Sequence, residues 1–155
     1  MTLRAWMLAL ALTGAATAVV AQDLKSPSAD QYVPRLGDIM SAAQARHQKL
    51  WLAGKAQNWE LTAFELRQLK ASLVEAALLY SGIPISNVTT LEPSLQSTSD
   101  AIAAKDGRKF AKAVGDLTEG CNACHRSMGR SFVVIRVPSD AQPFANQQFA
   151  PQAKP

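Results

Sequence analysis

The residues of this chain best placed to do chemistry are two cysteines and a histidine within one pentapeptide. Cys121-Asn122-Ala123-Cys124-His125 is a C-x-x-C-H run, the spacing through which a c-type haem is attached. On a helix, residues three apart share a face. Cys121 and Cys124 can therefore each form a thioether to one vinyl group of the same porphyrin. His125 follows at once, and a neutral imidazole is a common axial ligand to haem iron. Other uses of this spacing fit less well. A structural zinc site takes four Cys or His ligands, whereas the whole chain has two Cys and two His, and the other histidine, His47, lies far upstream. A thioredoxin-like C-x-x-C accompanies a βαβ pattern, which this sequence lacks. A disulfide between the two cysteines would leave His125 unexplained.

The second axial position has few candidates. Outside the N-terminal leader the only methionines are Met40 and Met128. Met128 follows His125 by three residues on the same helix, so it projects from the same side of the ring. The remaining imidazole is His47. Three states stay open: Met40 bound, His47 bound, or an open iron. Met40 and His47 share one helix face but stand about 10 Å apart along its axis, so they cannot both face one iron. Arg46, Arg126 and Arg130 are candidates to pair with haem propionates.

Hydrophobic periodicity supplies the elements that would position these groups. Leu36, Ile39, Met40, Ala43, His47, Leu50 and Trp51 form one helical stripe. The first helix is expected over 35–53, with Gly54 as its C-terminal stop. Asn58 is a good N-cap for a second helix over 59–80, with Glu60 and Glu65 in its early turns. Gly82 and Pro84 end it, and 83–90 reads as an irregular connection. A third helix is expected from about Pro93 to Lys105. Asp106 then caps a fourth, whose stripe Phe110, Val114, Leu117, Cys121 and Cys124 puts both sulfurs on the buried face. Periodicity alone makes the chain all-α.

The N-terminus reads as a secretory signal peptide over 1–21: Arg4 supplies the positive region, and the apolar run that follows is short for a membrane span. Cleavage before Gln22 would take 21 of the 155 residues and leave 134, one domain's worth. Residues 22–34 form an extended leader rich in Ser and Pro. The formal charge is +4. It falls to +3 without Arg4 and to near +1 with two propionates, and no Lys/Arg run is present. The sequence thus points to neither nucleic acid nor, after signal cleavage, a membrane. The mature protein is expected in the periplasm.

A late C-x-x-C-H on the last helix of an all-helical chain resembles the class II cytochromes c, cytochrome c′ and cytochrome c-556. The resemblance covers about Leu36 to Gly129. It implies an antiparallel four-helix bundle over 35–129, with one covalent haem c in its core. It makes Met40 the preferred distal ligand, since c-556-like proteins use a methionine of the first helix, with His47 as the alternative. It also implies homodimerisation. The C-terminal extension, 130–155, departs from the family: Phe132-Val133-Val134-Ile135-Arg136-Val137 is apolar and β-branched. It is expected to fold back over the haem edge, or else to dock a partner. The function expected is single-electron exchange with a redox partner protein, not enzymatic turnover. The alternatives are a gas-binding haem protein with an open distal site, taking nitric oxide or carbon monoxide, and a haem subunit of a larger oxidoreductase.

Overall fold

The two long hairpins of this protein are built by one device used twice. In the computed structural model, which describes residues 32–138, α1 spans Leu36–Lys55 and α2 spans Trp59–Leu79. At the end of α1 the Gln57 N–H donates to the Gly54 carbonyl and the Asn58 N–H to the Ala53 carbonyl. This is a Schellman closure, with Gln57 in the left-handed region at φ 57°. Asn58 then turns from closing α1 to capping α2, its Oδ1 accepting from the Leu61 N–H at 3.2 Å. The second hairpin repeats the pattern. After α4, Glu92–Ala103, the Lys105 N–H donates to Ile102 and the Asp106 N–H to Ala101. Lys105 sits at φ 52°. Asp106 then caps α5, Gly107–Ser127, accepting from the N–H groups of Arg108 and Lys109 at 3.0 Å each. Those bonds and the nearby cations hold the Asp106 carboxyl below its usual range.

Two expectations need correction. Gly54 does not stop α1. It lies buried inside the helix, where an added Cβ would fall 2.2 Å from Cε1 of Phe110. Its role is close approach between α1 and α5, and the left-handed position falls to Gln57. The connection after α2 also holds a short helix, α3, Ile85–Thr89. Pro84 starts it with an extended backbone, and Val88 anchors it in the core.

The chain is an all-α antiparallel four-helix bundle with an irregular C-terminal segment. α1 packs on α2 and α4 on α5, and α2 joins the two hairpins through α4. α1 and α5 run antiparallel: Gly54 meets Phe110, whereas His47 meets Thr118. The core is Leu50, Leu66, Leu69, Leu95, Val114 and Leu117, each such side chain contributing about 1.5–3 kcal/mol by leaving water. At the hairpin end, Phe110 stacks on Trp51 at 6.2 Å and meets Trp59 edge-on at 5.9 Å. Residues of α1, α2, α3 and α5 line the cavity described below. No helix among the described residues is long and apolar enough to cross a membrane. The expected signal peptide over 1–21, the expected leader up to residue 31 and the extension beyond 138 lie outside the described residues.

Candidate functional site

α5 ends where the site begins. The Gly129 N–H donates to Arg126 and the Arg130 N–H to His125, a third Schellman closure. Gly129 is at φ 67°, a conformation that suits glycine. The Val133 N–H then returns to the Arg130 carbonyl at 2.8 Å, which reverses the chain. Residues 130–138 run back along α5: Val133 meets His125, and Ile135 meets Asn122. This strap completes one wall of a cavity of about 490 Å³, a size typical of cofactor sites, which run to roughly 300–1,000 Å³.

Two helices bring the expected site residues together. α5 contributes Cys121, Cys124 and His125, and α1 contributes Met40 and His47. The strap adds Val133 and Ile135, and α2 closes the floor with Leu69 and Leu73. The lining is mainly apolar, as a porphyrin face requires. A groove on the outer face of α2, lined by Arg67, Lys70, Val74 and Leu78, holds none of these groups.

Burial sets the chemistry of the cysteines. It pushes the Cys121 thiol up to about 11, with Cys124 adding to the effect, and it raises Cys124 as well. A redox-active C-x-x-C needs a lowered thiol pKa, so these thiols are tuned the opposite way. Neutral, apolar thiols at the wall of an apolar cavity suit thioether formation with a haem lodged there.

His125 has one ring nitrogen engaged. Its Nδ1 lies 2.9 Å from the Val133 carbonyl oxygen. A carbonyl can only accept, so Nδ1 carries the proton and the Nε2 lone pair remains for a metal. His47 is set up differently. The Thr118 hydroxyl donates to the Val114 carbonyl at 2.7 Å, so it must accept from His47 Nε2–H at 2.8 Å. Burial pushes His47 down to about 4, and the ring is neutral. To ligate through Nε2 it would have to give up this bond. Met40 is half-buried at the α1 wall. Met128 also lines the cavity, but it caps α5 and its Sδ accepts from Asn87 Nδ2 at 3.2 Å. Among the described residues, no three His, Cys, Asp or Glu come together as a metal site. A haem brings four nitrogens of its own and needs from the protein only one or two axial ligands.

The arginines separate. Arg46 binds the buried Glu65 carboxylate at 3.2 Å, because a carboxylate out of water needs a paired charge. Arg46, one of the three candidates for a propionate, is thus engaged by Glu65 of α2. Arg126 is exposed, and only Arg130 of the three lines the cavity. Sequence reasoning missed Asn122, Thr118 and the Val133 carbonyl. A polar Asn inside the motif, on a helix whose neighbouring stripe is buried, was the one available signal. No protein-family model, curated protein or solved structure matches this chain.

Proposed function

We propose that this chain is an exported c-type cytochrome of the class II kind, with one haem c held by thioethers to Cys121 and Cys124, and that it carries single electrons. One observation supports the reading most: Cys121, Cys124 and His125 of α5 line the same mainly apolar cavity as Met40 of α1. When bound, haem c supplies a one-electron couple. The protein's part is to fix and shield it. His125 offers Nε2 because its Nδ1 proton is held by Val133. Met40 is the one upstream thioether at the cavity, and Met/His ligation would raise the potential. Met40 is taken as the distal ligand on the resemblance to c-556-like proteins, and His47, whose Nε2–H is held by Thr118 and whose Nδ1 keeps its lone pair, is the alternative. Arg130 is the cation placed to meet a propionate. Export to the periplasm rests on the leader over 1–21, and the redox partner is a separate protein.

The test is a haem stain after denaturing electrophoresis. Wild type should retain its haem through denaturation, Cys121→Ala should keep it by a single thioether, and the double Cys121→Ala/Cys124→Ala variant should lose it. Haem that leaves the wild type during acid–acetone extraction would refute the proposal.

A further inference from the structure

We infer that Asn122 is a positioning residue: it clamps the strap over 130–138 so that the Val133 carbonyl fixes the ring of His125. This rests on the haem reading above for its redox consequence. Asn122 lies within the C-x-x-C-H motif at a position that attachment chemistry leaves free, yet it is only 7 % exposed. Both ends of its amide are engaged by one strap residue. Oδ1 accepts from the Ile135 N–H at 2.8 Å, and Nδ2 donates to the Ile135 carbonyl at 2.9 Å. The side chain thus imitates a neighbouring strand. Ile135 is two residues beyond Val133, whose own N–H is held by the Arg130 carbonyl. Val133 is therefore pinned from both sides, by the turn at Arg130 and by the clamp at Ile135. Its carbonyl meets His125 Nδ1 at 2.9 Å.

The consequence is chemical. A hydrogen bond from Nδ1–H to a carbonyl fixes the tautomer and ring orientation of a ligating histidine and raises its basicity. A more basic ligand favours ferric over ferrous iron. Without the clamp the strap beyond Val133 loses its two hydrogen bonds to α5, and the Val133 carbonyl is no longer fixed from both sides as the ring's acceptor. The ferrous form then gains relative to the ferric.

The experiment uses holoprotein purified from an export-competent host. Asn122→Ala should raise the ferrous-to-ferric ratio at a fixed ambient potential about threefold, or about 28 mV for a one-electron couple at 59 mV per decade. Ile135→Pro removes the strap N–H while leaving Asn122 in place. It lies outside the helices, so it tests the clamp even where Asn122→Ala folds poorly. The two variants together should shift no further than either alone, since they break one unit. Phe132→Ala, on a strap side chain 78 % exposed, should leave the potential unchanged. A purely structural Asn122 would alter stability and leave the potential where it was. Wild-type potential in both clamp variants would overturn the inference. If the wild type carries no covalent haem, the functional reading fails by itself, and ring-nitrogen NMR still decides the clamp. A dominant Nδ1–H tautomer of His125 that both variants lose supports it; a tautomer ratio the same in all three proteins overturns it.

Discussion

Replacing Gly54 by alanine should destabilise this protein, although glycine-to-alanine changes inside helices usually do the reverse. An interior glycine costs a helix about 1 kcal/mol relative to alanine, so the local term favours the variant. The packing term opposes it. The added Cβ would meet Cε1, Cζ and Cδ1 of Phe110 at 2.2, 2.3 and 2.9 Å. Phe110 cannot step aside cheaply: it is 1 % exposed and held between Trp51 and Trp59. Overpacking a tight core costs about 1–3 kcal/mol, and three ring atoms within 3 Å put this case at the upper end. The net loss should be about 2 kcal/mol, which lowers Tm by roughly 6–10 °C, since a domain of this length falls between the scales for 60–100 and for 150–250 residues. Gly115→Ala is the matched control. Gly115 is inside α5, and a Cβ there meets nothing within 4 Å. It should show the helix gain alone, about 1 kcal/mol. Urea titration followed by far-UV circular dichroism measures both. A Gly54→Ala protein as stable as Gly115→Ala would refute the packing of α1 against Phe110.

Three further outcomes are expected. Met40→Ala should turn a low-spin haem into one that binds carbon monoxide readily, with a lower potential and loss of the red-edge charge-transfer band of an iron–methionine bond. A wild type that is already high-spin would assign Met40 to the core and favour gas binding. Stability should fall as the pH drops from about 6.5 to about 4. Over that range the unfolded chain takes up a proton that buried His47 refuses; the loss is on the order of 3 kcal/mol and levels off below 4. His47→Gln should flatten that slope in chemical denaturation, and an unchanged slope would show that other groups carry it. Thr118→Val strands His47 Nε2–H in a buried site and should cost about 1–3 kcal/mol, measured by the same titration.

What the sequence made legible was local. The caps at Asn58 and Asp106 were readable because each side chain bonds to N–H groups two or three residues away. The C-x-x-C-H group was readable because its chemistry sits within five residues of one helix face. The misreadings were long-range. Glycine serves both as a left-handed stop and as a point of close approach, and only the ring of Phe110, far along the chain, decides which applies at Gly54. Gln57 and Lys105 take left-handed conformations that their residue types do not advertise, because the following helix cap compensates. The position of Glu65 in an early turn of α2 gave no sign of its burial against Arg46 of α1. Asn122 and Ile135 are thirteen residues apart and meet only because Gly129 and the turn at Arg130 send the strap back along α5.

The central claim, one haem fixed covalently beside His125 in the cavity between α1 and α5, is tested most directly by the intact mass of the mature protein under denaturing conditions. The expected mass is that of the polypeptide from Gln22 plus a single haem, reduced to the bare polypeptide in the Cys121→Ala/Cys124→Ala variant. A wild-type mass equal to the polypeptide alone, from a host that attaches haem c to other exported proteins, would contradict it.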